Sequence, residues 1–427
     1  MIAALLLLML QPPDTLTVTA GELLQRASEA PAMQAALERV QASEARVRQA
    51  GLLPNPTFSG NVENLGRQEE LTGVSGWGGS EGQFLVGTRI RLGGDGTAAR
   101  QVEEAGADGA RAAARRTEAE LRMQAVEAVA LFQRDEALVE FAREEARGVA
   151  RLEEAIRLQA ELGRASEGEA ARLALARTSA EVEVARMEAQ WAVSRSELLR
   201  RVGLPQETLL TITLPSCPTA DPTATPAAGS PPELEEAAAR VRGWEAGRRE
   251  LGALAIPDLL PEVGVRRMGG VEALYLGLSV ELPLFDRNQG AREAARLEAT
   301  AAEAEMQEVE RRLDAQHSAA LQALRALEVA GSRFDQGWIR ALDRAVEATE
   351  ARYTLGEGSL TELLDGRRAR LQALADREYW RAEWLVWRAR EARTAGRPIT
   401  EDILCTPASQ PGGADGTDRT DGQEILP

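Results

Sequence analysis

The sequence contains no lysine. All 50 of its basic residues are arginine, and 67 acidic residues outnumber them to give a net charge of −17. No basic stripe offsets that charge, which excludes nucleic acid as a partner. One histidine and two cysteines cannot build a His/Cys metal cage within one chain, so no metal site or cofactor is expected. The same scarcity argues against an enzyme built on a histidine base. A carboxylate enzyme needs convergent acids, and Glu262, Glu281 and Asp286 are instead scattered over the ends of predicted strands. No catalytic residue is assigned. Aromatic residues make up only 4% of the 427, so few large rings are available to fill a core. No apolar run approaches the ~20 residues of a membrane-spanning helix. Residues 1–13, with the apolar run Ile2–Leu10, fit an export signal, although the basic residues that usually precede one are missing. No cysteine follows that run, which argues against a lipid anchor. Cys217 and Cys405 fall in a linker and a tail, where an oxidising compartment would allow them to pair.

Alanine, leucine and glutamate are abundant, as in long helices and coiled coils. Proline is absent between Pro56 and Pro205 and between Pro283 and Pro398. Proline breaks helix interiors, so these gaps are where long helices can run. The two halves also match. Leu162-Gly163 aligns with Leu355-Gly356 at an offset of 193, as do Gly203 and Pro205 with Gly396 and Pro398. Val86 through Leu92 aligns with Leu276 through Leu282 at an offset of 190. A glycine-rich loop, Gly66–Gly82, is longer in the first half. A duplicated unit explains this pattern. The first repeat is expected over 14–204, with a helix over 21–50, a β-hairpin over 55–92, a long helix over 97–162 and a helix over 167–202. A Pro/Thr-rich linker over 205–232 follows. The second repeat, 233–398, holds a helix, a hairpin over 258–284, a long helix over 291–355 and a helix over 359–395. The tail, 399–427, reads as disordered. Each long helix would measure about 100 Å.

Every predicted strand alternates with a period of two. Phe58 and Val62 oppose Thr57, Ser59, Asn61 and Glu63; Phe84, Val86, Ile90 and Leu92 oppose Arg89 and Arg91. Val263 and Val265 oppose Glu262 and Arg266; Leu274, Leu276, Leu278 and Val280 oppose Tyr275, Ser279 and Glu281. One apolar and one polar face per strand is the pattern of a membrane barrel. Phe58, Val62, Phe84, Val86, Leu276, Leu278 and Val280 are therefore assigned to a lipid face. Aromatic residues that would mark the membrane interfaces are sparse: Phe58, Trp77, Phe84, Tyr275 and Phe285. Four strands cannot close, and an open edge in lipid leaves backbone groups unsatisfied. Several chains must then share one barrel, and three would supply twelve strands.

The segments Ala50–Gly60, Val280–Gly290 and Tyr353–Ala373, with Leu16–Ala36 at the start, resemble the TolC family of outer-membrane efflux proteins. The ending Asp286–Gly290 (DRNQG) is most similar to the heavy-metal, or cation efflux, branch. The resemblance implies a mostly helical chain with a membrane β-barrel portion. It implies a homotrimer whose twelve-stranded outer-membrane barrel continues into a long α-helical periplasmic barrel. It also implies a periplasmic adaptor protein and an inner-membrane pump as partners, outer-membrane lipid around the strands, and no catalysis. The expected function is a passive conduit for small solutes or metal cations. A conduit for type I secretion and a soluble periplasmic coiled-coil scaffold are the alternatives.

Two reversals mark the ends of the long helices. Gly163, Arg164, Ser166 and Gly168 form the first, and Gly356, Glu357, Gly358 and Ser359 the second. The glycines suit tight turns, and Ser166 and Ser359 can cap the returning helices. By resemblance these tips meet the adaptor. Glu362 and Asp365 lie three apart on one helix face. They match the acidic pair that lines the family's periplasmic constriction, where threefold symmetry would make rings that favour cations. Tyr353 matches a tyrosine of the same gate. The family's gate arginine is replaced by Gly358, so Arg352 or Arg164 would have to take its role.

Overall fold

The computed structural model describes residues 15–63, 81–163, 165–215, 229–268, 271–334 and 336–405, with the side chains of Thr15 and Gln336 excepted. Trp77, Arg164, Cys217, the glycine-rich loop over 66–80 and the tail beyond Cys405 lie outside the described residues. The strands are β1 (Thr15–Thr19), β2 (Thr57–Glu63), β3 (Glu81–Gly87), β4 (Leu209–Thr213), β5 (Leu259–Met268) and β6 (Val271–Val280). The helices are α1 (Ala20–Ser28), α2 (Pro31–Ala50), α3 (Asp95–Glu161), α4 (Glu167–Arg201), α5 (Pro232–Ala253), α6 (Gln289–Gly331), α7 (Gln336–Thr354) and α8 (Leu360–Thr394). Among the described residues no helix is long and apolar enough to cross a membrane.

The chain divides into two compact units. One comprises Met1–Pro31, Glu118–Pro231 and Leu313–Pro427; the other comprises Ala32–Thr117 and Pro232–Arg312. The first carries both helical reversals and is called the tip-bearing unit. The second carries the four-stranded sheet.

The tip-bearing unit is built on a core of Leu23, Leu24, Val126, Val129, Phe132, Leu198, Leu199, Ala389, Ile399 and Leu404, all buried. Alanines on α3 and α8 (Ala125, Ala128, Ala389 and Ala392) let the backbones approach closely. Strands β1 and β4 pair in parallel, with Val18 opposite Ile212. These two strands were not legible in the sequence, and β4 lies inside the segment expected to be a linker. Their side chains join the core through Val18 and Leu210. The tail also departs from expectation over 399–405. Ile399, Ile403, Leu404 and Cys405 are buried, Arg122 donates to the Ile399 carbonyl at 3.1 Å, and Arg388 donates to Cys405 Sγ at 2.7 Å. Cys405 is disulfide-bonded.

Two predicted helices are each divided. The first stops after Ser28, and Pro31 opens α2. Proline has no N–H to donate, and its fixed φ suits the first position of a new helix. Thr19 and Glu22 cap α1 reciprocally. In the second repeat the proline-free stretch forms α6 and α7 rather than one helix. Here the cause lies on α8. The Trp380 indole occupies the space that a side chain at Gly331 would need, and its Nε1 donates to the Leu327 carbonyl at 2.7 Å. Phe334 then packs against Trp338 and Trp380, with ring centroids 5.1 and 5.7 Å away.

In the strand-bearing unit the sheet order is β2-β3-β5-β6, antiparallel throughout. The register sets Phe58 opposite Val86, Phe84 opposite Val265, Val263 opposite Leu276 and Val265 opposite Leu274. The apolar positions named from the alternation therefore fall on one face of the sheet, except Leu92, which lies beyond the strand. The opposite face sets Asn61 against Gln83, Gln83 against Arg266 and Gly87 against Glu262.

Replacing Gly331 by alanine forces a Cβ into the Trp380 ring. Gly331→Ala is expected to destabilise the tip-bearing unit by about 1–3 kcal/mol, read as a lower melting temperature together with altered tryptophan fluorescence.

Candidate functional site: the helical tips and their arginine bridges

The tips follow from local chemistry. Gly163 and Gly356 have φ of +73° and +78°, a conformation open to glycine without penalty and suited to ending a helix. The Gly163 N–H donates to the Ala160 carbonyl at 2.9 Å, and the Gly356 N–H to the Tyr353 carbonyl at 3.0 Å. Returning helices start on serine caps. Ser166 Oγ accepts from the Glu169 N–H at 3.1 Å, and Glu169 Oε2 accepts from the Ser166 N–H at 3.2 Å. Ser359 Oγ accepts from the Glu362 N–H at 3.1 Å. Gly168 lies in the first turn of α4.

Gly358 stands where the resemblance places an arginine. A Cβ there would lie 3.1 Å from the Tyr353 nitrogen and 3.3 Å from Arg352. The turn is folded closely onto the end of α7, and both Glu357 and Gly358 donate N–H groups to the Arg352 carbonyl. Arg352, one of the two arginines named to substitute, pairs with Glu362 within the chain: its Nη1 donates to Glu362 Oε1 at 2.7 Å, and its Nη2 to the Glu357 carbonyl at 3.4 Å. Arg164 lies outside the described residues. Asp365 is paired with Arg368 at 3.4 Å, both largely exposed. The two carboxylates thus share a helix face, as their spacing requires, and each has its own arginine within the chain.

Beneath the turns the two hairpins meet in a small apolar cluster. Ile156 from α3, Leu173 from α4 and Leu360 from α8 are buried together, with Tyr353 packed against them. Burial pushes the Tyr353 phenol above its ordinary value, and nearby Glu169 adds to the rise.

Further along α8, two arginines bridge helices in a way the sequence reading missed. Arg367 reaches Glu145 on α3 at 3.4 Å and Glu350 on α7 at 3.5 Å, with its side chain only 12% exposed. Arg370 reaches Glu144 on α3 at 3.4 Å and Asp343 on α7 at 2.8 Å. Gly148 on α3 leaves the room in which the Arg367 guanidinium lies. Each planar fork serves two carboxylates from different helices, a geometry that lysine does not reproduce. The only available signal was the three-residue spacing of Arg367 and Arg370, which puts both on one face.

Among the described residues no group of three or more His, Cys, Asp or Glu side chains is arranged to hold a metal ion. The residues assigned to a lipid face behave as one exposed surface: Phe58 is 71% exposed and Leu276 74%. Phe84, Val86, Leu278 and Val280 are exposed beside them, and Val62 is half-buried.

The raised Tyr353 value predicts a pH dependence. The folded tip favours the neutral phenol, so its stabilising effect is complete below pH 10, the ordinary value. It is lost as pH rises from there through the raised value. Tyr353→Phe is expected to remove this alkaline loss, measured by melting temperature against pH.

Residues 226–388 match the family described as outer membrane efflux protein. No curated protein matches the sequence. Among solved structures, the outer membrane protein VceC of Vibrio cholerae shares the fold with a TM-score of 0.72 at 16% identity, covering 88% of this chain and 96% of that one. The CmeC outer membrane channel of Campylobacter jejuni gives a TM-score of 0.72 at 13% identity, with coverage of 90% and 89%. The open-state MtrE outer membrane channel of Neisseria gonorrhoeae gives 0.69 at 17% identity, with 90% of each chain covered. The resemblance to the TolC family of outer-membrane efflux proteins therefore stands: residues 226–388 match the outer membrane efflux protein family, within a chain that has the fold of solved outer-membrane channels.

Proposed function

We propose that this chain is one third of a passive outer-membrane conduit. Three copies share a barrel of twelve strands, and their helices form the periplasmic part. The conduit receives small solutes or metal cations from a periplasmic adaptor and an inner-membrane pump, and the pump supplies the energy. One observation carries this reading. The sheet has an exposed apolar face, an opposite polar face, and outer strands β2 and β6 that each have only one partner. Exposed apolar faces of this extent belong in contact with lipid or protein. Strand edges in lipid must be paired. Neighbouring copies, β6 of one beside β2 of the next, satisfy both demands at once.

The capped turns of the tips are the surface offered to the adaptor. Glu362 and Asp365 line the constriction, where rings of carboxylates favour cations. Their effect is moderated within each chain, because Arg352 and Arg368 lie against them.

Protein extracted from outer membranes in detergent is expected to have three times the protomer mass and to conduct ions in planar bilayers. Glu362→Gln combined with Asp365→Asn is expected to lower the cation preference several-fold, by roughly the loss of a local negative potential. Arg352→Gln, which frees Glu362, is expected to raise it. Single-channel reversal potentials measure both, and an unchanged preference in the double variant removes the constriction assignment. A water-soluble monomer without conductance would favour the scaffold alternative instead.

A further inference from the structure

We infer that the strand-bearing unit holds a site for the phosphate headgroup of an anionic phospholipid. The site is the groove where β2 and β3 separate before the helices begin. This inference rests on the outer-membrane reading above and adds a ligand to it.

The groove arises from register. β2 and β3 pair up to Thr57 and Gly87. Past that pair the extension of β3 continues along β5 alone, where Ile90 bridges Leu259. The segment leading into β2 is left apart, and a space of about 920 Å³ opens between residues 50–56, residues 88–91 and the first turn of α3. Its lining includes Arg89, Arg91 and Arg100 and no carboxylate, in a chain whose net charge is −17. The paired acids lie outside that lining. Asp258 meets Arg89 Nε at 3.5 Å, Asp95 meets Arg91 Nε at 3.7 Å, and Glu104 meets Arg100 Nε at 2.9 Å. These pairs engage the Nε side of each guanidinium. Among the described residues no Nη group of Arg89 or Arg100 makes a hydrogen bond. A planar fork with both Nη groups available matches a phosphate. Arg91 holds the groove's shape: it donates to the Leu52 carbonyl at 3.4 Å and lies over Gly96, where a Cβ would come within 2.6 Å of its Nη1. The first turn of the 67-residue helix α3 adds the positive end of its dipole.

The occupant is a lipid rather than a free anion because the rim is apolar. Leu53 is 89% exposed, Leu52 57% and Ile90 45%. Ile90, opposite Leu259, continues the apolar sheet face that carries Phe58 and Val86. Arginine beside exposed leucine suits the boundary between acyl chains and headgroups. The duplication supplies a control. At the 190-residue offset Arg89 and Arg91 correspond to Ser279 and Glu281. The second repeat makes the same passage from strand to helix without the basic pair, so the fold itself does not require it.

The test uses the full-length protein purified in detergent, with lipid retention read by native mass spectrometry. The probes are phosphatidylglycerol, phosphatidylcholine and inorganic phosphate. Wild type is expected to retain phosphatidylglycerol roughly tenfold better than phosphatidylcholine and to show no thermal shift with inorganic phosphate alone. Arg89→Gln with Arg100→Gln is expected to abolish the headgroup preference, and Arg89→Lys with Arg100→Lys, which keeps the charge without the fork, to lower it. Equal retention of the two lipids by wild type overturns the inference, and this arm decides alone if the glutamine variant does not fold. An unchanged preference in a folded glutamine variant also overturns it. A thermal shift with inorganic phosphate matching that with phosphatidylglycerol overturns the lipid assignment. Conductance measured on the same wild-type sample separates these outcomes from failure of the conduit reading, which would show as a non-conducting protein.

Discussion

Backbone polar groups have no water to turn to inside a bilayer, and the proposed function rests on this constraint. A four-stranded antiparallel sheet satisfies its inner strands and, among the described residues, leaves one side of β2 and one side of β6 without a partner. The apolar surface of the same sheet makes water a poor environment for it. Neither demand can be met within one copy. The proposed sharing of a barrel resolves both, and the helices, tips and acidic pair acquire their roles from it.

The sheet was readable in advance because strand faces depend on a two-residue period that the sequence displays directly. Phe58, Val86, Val263 and Leu276 alternate cleanly and arrive on one face. The reversals were readable for a similar reason: a glycine followed by a serine cap is a local instruction. The duplication reinforced both, since each feature appears twice. What escaped the reading depends on partners distant in sequence. Nothing near Gly331 announces that Trp380 will fill its space. Pro31 was a visible local breaker that the longer proline-free gaps overshadowed. The strands β1 and β4 are short and lie nearly 200 residues apart, and each makes sense only beside the other. Ile399, Ile403 and Leu404 sit among polar and turn-forming residues, and only the tertiary core reveals their burial.

The exclusive use of arginine has a structural counterpart in the tip-bearing unit. Many of its ion pairs are exposed and join residues three or four apart on one helix, so each contributes little. Arg367 and Arg370 differ because they are partly buried and each spans two helices. They tie the second hairpin to α3 below the tips, away from the Arg352–Glu362 pair, so the turn and the packing of the hairpins are held by distinct bonds. A change at Arg352 acts on the turn, and a change at Arg367 acts on how the hairpins lie together.

The core of the tip-bearing unit joins Leu23 and Leu24 to Ile403 and Leu404, residues almost a whole chain length apart. Such closure is slow to find, because a very long loop must be drawn together before any contact rewards it. It also fixes an order of events. Until the segment around residue 400 has been synthesised, Leu23 and Leu24 lack the contacts that Ile403 and Leu404 supply, and the hairpins stand on a core that is not yet complete.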